Sequence, residues 1–413
     1  MSIVGSNTPV GILQNVYNKI VKEELNGQAG PFYNYINKAA DLEGATWVEG
    51  LLYGPGSPGS TNFRTAQSLG GASSFAPFSS TRTEWYNSLQ LLWRSIKETG
   101  ASQGAFYDLV TKEVKVKVGE FARNIGRFLP GAGSGQMSTI ASTTTLTGAS
   151  LILANPSDIH KFEIGQSLVF ALNDASALRA ATSLLVTKVN VDTFTLTMSG
   201  NLNTVAGITV GDAIFLEGTY TAASDRLVWN GVSAWIPDTT PSGTFLGVDR
   251  SLHPTKLGGH RLNGATFSCS DALLGLATKM AQAYVPMNAR YAVFMNPANK
   301  QRILQERDSK MRYTNMDKDA KVSFEGAILE SALGELEIYA DANFDTSHAY
   351  ICHSDAFTWR TLGAFPETIT MDNLTWSPLP QDAGFEIRFG GLANLTNAAP
   401  GYCGVVYNFG VNG

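Results

Sequence analysis

The most constraining stretch of this sequence runs from Phe106 to Phe128. Phe106, Leu109, Val110, Val114, Val118, Phe121, Ile125 and Phe128 fall on one helical face. Ser102 suits the N-cap and Asp108 an early turn, and Glu113 and Lys117 are spaced as an i,i+4 pair. Arg123 and Arg127 come late, where the helix dipole favours cations, and Pro130-Gly131 ends the run. Val114-Lys-Val116-Lys-Val118 alternates like a strand, but only a helix accounts for the whole stretch. Such a helix spans roughly 40 Å at a rise of about 1.5 Å per residue. That is long for a globular interior and suits a strut against which other layers pack.

The flanking segments differ from one another. Residues 1–45 mix short helical pieces with breakers: Ile12, Leu13, Val16, Ile20, Val21 and Leu25 share a helical face that Gly27, Gly30 and Pro31 stop. This reads as an arm. Residues 46–97 read as a two-stranded excursion with an irregular tip, opened by Trp47–Tyr53 and closed by Glu84–Lys97. After the helix, Gly131, Gly133 and Gly135 form a hinge, and residues 137–236 turn rich in Thr, Ser, Val and Leu, a composition of strands and turns. Within them Phe162-Glu-Ile164-Gly165-Gln-Ser-Leu168-Val-Phe170 is echoed by Gly207-Ile208-Thr-Val210-Gly211-Asp-Ala-Ile214-Phe-Leu216, the two glycines 46 residues apart. The echo predicts a small two-lobed β-barrel or sandwich inserted into the main fold. Residues 246–413 alternate helices, opening at Ser270-Asp271 and Asn296-Pro297, with apolar strands, and the whole chain reads as α+β.

Composition narrows the function classes. Of 413 residues 44% are apolar but only 16% charged, against about 25% charged in an average domain. Little charge with many aromatics fits either a surface much of which partners cover or a β-rich protein dressed in Ser, Thr and Asn. The net charge of −5 and the lack of a basic run argue against sequence-specific nucleic-acid binding. Cys269, Cys352 and Cys403 are scattered and suggest a reducing cytosol, not a disulfide framework. The N-terminus does not read as a secretory signal, and no stretch approaches the roughly 18 apolar residues of a membrane helix.

Chemical motifs are sparse. Gly100-Ala-Ser102-Gln-Gly104 matches a nucleophile elbow, with Asp345 and His348 as conceivable partners, but Ser102 is explained more simply as a helix cap. His348, Cys352, His353 and Asp355 could be imagined around a metal ion. On a strand, however, His348 and Cys352 are roughly 13 Å apart at about 3.3 Å per residue, and His353 faces the other way. No catalytic, cofactor or metal site is assigned.

The order of parts resembles the major capsid proteins of tailed bacteriophages, whose shell fold is shared with herpesvirus floor domains and encapsulins. Similar to that family are the helix from Gly104-Ala-Phe106 to Phe121-Ala-Arg123-Asn-Ile125-Gly-Arg127-Phe128-Leu129 with its exit Gly131–Gly135, and the β-rich stretch after it. Arg250-Ser-Leu-His253-Pro254 to Gly259 and Phe294-Met295-Asn296-Pro297-Ala298 resemble the return to the body and a helix start in the axial domain. The resemblance implies an N-terminal arm at 1–45, an extended loop at 46–97 and a spine helix of the peripheral domain at 98–136. It further implies an inserted β domain at 137–245, an axial domain at 246–375 and C-terminal strands at 376–413. It implies self-assembly as hexamers and pentamers into an icosahedral shell around double-stranded DNA, in a virion assembled in the host cytoplasm. Portal, scaffolding and decoration proteins would be the partners, with no cofactor, no enzymatic activity and no membrane. Phe63, Arg64, Phe75, Phe78, Arg82, Trp85 and Trp93 are the expected loop anchors on neighbouring subunits. An encapsulin-like nanocompartment shell and a Ser102 hydrolase are the alternative expectations.

Overall fold

The computed structural model describes residues 29–54, 56, 59–92, 103–180, 182–220, 228–283, 285–287, 289–310, 328–370, 377–379 and 382–410. The long helix is Gln103–Phe128; Ser102 and the side chains of Phe106, Leu109 and Val110 lie outside the described part. Val114, Val118, Phe121, Ala122, Ile125 and Phe128 are buried, whereas Val116 is 58% exposed. Helical spacing therefore decides the fate of the three alternating valines. The expected Glu113–Lys117 pair gives way to Lys117 with Glu120, Nζ to Oε2 at 3.1 Å. The side chains of Arg123 and Arg127 reach from the helix to Glu163 of the inserted unit, with Arg123 Nε 2.6 Å from Glu163 Oε1.

One sheet is built round the long strand Gly384–Asn397. It pairs antiparallel with Thr83–Leu92 over Gly384↔Leu92 to Ala393↔Thr83, and with Phe357–Thr361 over Phe357↔Asn397 to Thr361↔Ala393. Asn37–Ala39 adds a parallel edge to Phe357–Thr361. The long helix lies under Thr83–Leu92, where Asn87 Nδ2 donates to the Lys117 carbonyl at 3.3 Å. At the helix end, Trp229 sits fully buried among Trp85, Phe128, Trp359 and Phe365, with ring centroids 5.2–6.5 Å away. This aromatic cluster joins the helix, the sheet and the segment that follows the inserted unit into one core.

A second, mixed sheet orders its strands His260–Asn263, Gly404–Tyr407, His348–His353, Tyr291–Met295, Gly334–Ala340 and Ile328–Ser331. Helices Cys269–Gln282 and Pro297–Lys310 are associated with it. Leu273, Leu276, Met280 and Ile303 form one core cluster with Val293, Met295, Ile351 and Val406. Alternate residues, Phe294, Tyr350, Cys352, Cys403 and Val405, join the main core instead, so the sheet is buried on both faces. Ser268 caps the first helix, two residues before the expected start, and Asn296 Oδ1 accepts from Ala298 N at 3.0 Å beside Pro297.

The inserted unit is a six-stranded antiparallel sheet ordered Gln136–Thr139, Ala213–Leu216, Ser167–Ala171, Leu184–Asn190, Thr195–Met198 and Ser150–Ile152. The sequence echo is structural. Gly165 and Gly211 have φ of 92° and 87°, and each precedes a strand that pairs with the other through Ile214↔Phe170 and Phe215↔Val169. Their surroundings would admit a Cβ, so the left-handed turn, not crowding, calls for glycine there.

Three expected boundaries shift. Within the expected arm, Phe32, Tyr33, Ile36 and Leu42 are buried in the fold, and only 1–28 falls outside the described residues. The expected insertion at 137–245 is shorter, because Trp229–Ile236 rejoins the body: Trp235 Nε1 donates to the Leu395 carbonyl at 3.1 Å and Asn230 N to Asn394 Oδ1 at 2.9 Å. The excursion expected over 46–97 returns early. Thr46–Gly54 pairs with Ser74–Thr81, not with the strand after it, and Thr83–Leu92 is committed to Gly384–Asn397.

Candidate assembly surface

The hairpin Thr46–Gly54/Ser74–Thr81 carries a short helix, Phe63–Ser68, at its far end, capped by Asn62, whose Oδ1 accepts from Arg64 N at 3.0 Å. Strand alternation gives it two unlike faces. Inward lie Leu51, Ala76, Phe78 and Ser80, all buried, with Phe78 packed on Trp235 at 5.4 Å and Phe245 at 6.1 Å. Outward lie Val48, Leu52 and Phe75, with Leu52 directly opposite Phe75 and Pro77 one step along. Leu52 is 55% exposed, Phe75 62%, and Phe63 on the tip helix 82%. Exposed apolar side chains gathered on one face are a feature that monomeric proteins seldom leave uncovered over a large area.

Polar contacts hold the hairpin at a set angle. The Arg360 guanidinium lies 4.0 Å over the Trp47 ring and forms ion pairs with Asp41 and, at 3.5 Å, with Glu49. Trp47 Nε1 donates to Glu49 Oε2 at 2.9 Å. Further along, Ser79 N donates to the Leu246 carbonyl at 2.9 Å and Lys256 Nζ to the Tyr53 carbonyl at 3.0 Å. A stacked, doubly ion-paired arginine is a stiff joint, because its planar fork satisfies several partners in one geometry.

The expected anchors divide accordingly. Phe63, Arg64 and Phe75 are exposed on the hairpin. Phe78 is corrected: its ring is consumed by the chain's own core. Trp85 is corrected likewise, since it lies half-buried against Phe128 at 5.6 Å and Trp229 at 5.2 Å. Arg82 is half-buried and ties the hairpin base, its Nη1 donating to the Gly44 carbonyl at 3.2 Å. Trp93 lies outside the described residues. Val48, Leu52 and Leu69 are exposed apolar residues that the sequence reading passed over. The alternation Val48-Glu-Gly50-Leu-Leu52 was the available signal for the first two.

Of the chemical candidates, Ser102 lies outside the described residues, and Asp345 and His348 meet in one cluster. Ser347 Oγ donates to Asp345 Oδ2 at 2.6 Å; His348 Nδ1 is 3.3 Å from the same oxygen and Nε2 is 3.6 Å from Asp238. Asn155 Nδ2 of the inserted unit also donates to Asp345, at 2.8 Å. Burial would raise the Asp345 carboxyl, but hydrogen bonds from His348 and Ser347 outweigh it and hold it well below the carboxylate range. Burial would lower His348, but Asp345 and Asp238 outweigh it and raise it. The cluster is an electrostatic tie between inserted unit, body sheet and the segment at Asp238. Cys352 is fully buried and His353 packs edge-on against Tyr291. Among the described residues no three His, Cys, Asp or Glu gather as metal ligands, and no helix is long and apolar enough to cross a membrane.

No family model and no curated protein matches this sequence. Solved structures do match its shape. The capsid of cyanophage A-1(L) aligns with 93% of this chain and 92% of its own, at 10% identity and a TM-score of 0.54. This chain has the tailed-phage capsid fold. The capsid fold here carries a clamped hairpin, a long helix, two sheets and an inserted β unit. Microbacterium phage Oxtober96 (9% identity, 92% and 91% covered) and the capsid of an empty GTA particle (8%, 92% and 97%) also align, each at a TM-score of 0.43.

Proposed function

We propose that this chain is a major capsid protein that self-assembles, as hexamers and pentamers, into the icosahedral shell enclosing the double-stranded DNA of a tailed phage. The observation that carries the reading is the apolar outer face of a hairpin clamped to the body by Arg360. A subunit that holds such a face rigidly in water does so for a neighbour, and preorganisation lowers the entropy lost on docking. The capsid fold supports the same reading. In it the hairpin reaches onto an adjacent subunit, the long helix and the Gly384–Asn397 sheet form the peripheral domain, and the body sheet with its two helices forms the axial domain. Its role is structural and not enzymatic. Its partners are copies of itself, then portal, scaffolding and decoration proteins, and assembly takes place in the host cytoplasm. A net charge of −5 suits a shell that does not hold packaged DNA by non-specific attraction.

The test is size-exclusion chromatography and negative-stain microscopy of the purified chain across salt and concentration, alone and with candidate scaffolding protein. Rings, shells or tubes are expected. A clean monomer under every condition overturns the proposal.

A further inference from the structure

Two of the three cysteines, far apart in sequence, meet across a strand pair. Gly404–Tyr407 runs antiparallel to His348–His353 with Ile351 opposite Gly404. The next step of that register sets Cys352 opposite Cys403. Both side chains point to the same core as Tyr350 and Val405, and both are fully buried. The main-chain pattern fixes their spacing class. The Cys403 carbonyl accepts from His260 N at 2.9 Å, on the strand to the other side. Cys403 thus turns its backbone polar groups away from Cys352, which is the non-hydrogen-bonded position of an antiparallel pair. There opposed Cα atoms lie about 4.5 Å apart and side chains are closest, within the roughly 4.4–6.8 Å that a disulfide spans.

We propose that Cys352 and Cys403 are a dithiol site that closes to an intrachain disulfide when the protein meets a low-molecular-weight disulfide oxidant. Two thiols are oxidised, one S–S bond forms, and the oxidant's S–S bond breaks to give two small thiols that carry away the two protons and two electrons. Cys269, in the first turn of the helix Cys269–Gln282, belongs to the other core cluster and stays reduced. Both thiols of the pair are free in this structure. Burial, reinforced by the neighbouring Cys403 thiol, holds the Cys352 thiol well above the ordinary range, so little thiolate forms while the strands stay closed. Closure therefore waits on local opening, for which the short turn Pro400–Tyr402 just before Cys403 is placed.

The bond would close a loop that leaves the body sheet, contributes Phe357–Thr361 and Gly384–Asn397 to the other sheet, and returns. It would thus tie one sheet's excursion into the other. A protein made in a reducing compartment and later released from it would be stapled only after release. This inference is independent of the assembly reading, since it rests on one chain.

The test uses the full chain, reduced and then incubated with glutathione disulfide, once natively and once during refolding. The expected result is a fall from three titratable thiols to one in denaturant, loss of two hydrogens with no glutathione adduct, and a peptide linking Cys352 to Cys403. The melting temperature should rise by roughly 5 °C, reversibly on reduction, for a loop of about fifty residues in a chain of this size. Cys269→Ala should fall from two thiols to none with the same link and the same rise in melting temperature, and Cys403→Ala should lose the effect. Three thiols remaining under both conditions, a stable glutathione adduct on either residue, or a link involving Cys269 overturns the proposal. The wild-type mass and peptide map decide it even if Cys403→Ala does not fold.

Discussion

Replacing Leu52 and Phe75 together by serine separates assembly from folding. The two residues face each other on the outer side of the hairpin, 55% and 62% exposed. Fully burying such a side chain contributes about 1.5–3 kcal/mol, and roughly half of each surface remains for a neighbour to cover. That is about 1.2 kcal/mol per residue and about 2.4 kcal/mol for the pair. Each subunit contributes one hairpin, so the loss counts once per subunit. At about 1.4 kcal/mol per tenfold, the concentration at which particles form should rise roughly 50-fold. The folded chain itself loses a cross-strand contact worth less than about 1 kcal/mol, because both side chains are more than half exposed among the described residues. The assay is light scattering or sedimentation against concentration, with thermal melting of the unassembled subunit beside it. An unchanged threshold in a variant that melts normally would refute the reasoning: neighbours would then not cover this face.

Glu163→Ala should loosen the inserted sheet from the long helix. It leaves the guanidinium of Arg127, almost wholly buried, without its carboxylate. A loss of about 2–3 kcal/mol is expected, less than for a fully buried pair because Glu163 is about a third exposed. Hydrogen exchange should speed up in the sheet between Gln136 and Leu216 first; exchange that changes only elsewhere would contradict the tie. His348 supplies a pH signature. Its folded pKa is raised, so its stabilising contribution is complete below the unfolded value near 6.5 and is lost as pH rises through the folded value above that. The melting-temperature gap between wild type and His348→Gln should therefore be widest near pH 6 and shrink towards pH 9. A gap that does not change with pH would exclude a charged His348 between Asp345 and Asp238.

Elements whose identity depends on spacing along the chain were legible in the sequence. The helix Gln103–Phe128 could be read because eight apolar residues share one helical face over its length, and the inserted sheet because its composition changes sharply after Gly135. Gly165 and Gly211 were readable as equivalents because a left-handed turn before a strand calls for the same residue twice. Partner choice was not legible. Whether Ser74–Thr81 or Thr83–Leu92 pairs with Thr46–Gly54 depends on the competing claim of Gly384–Asn397, some three hundred residues away. The fates of the hairpin phenylalanines follow from that choice. Phe75 and Phe78 are three residues apart on one strand, so they must face opposite ways. Only the place of Trp235 and Phe245 under one face decides which ring is buried and which is left for a neighbour. Arg360 and Cys352 likewise gain their meaning from Trp47 and Cys403. Periodicity is local and survives in the sequence, whereas strand pairing and the side from which the core arrives are long-range and exist only in the folded chain.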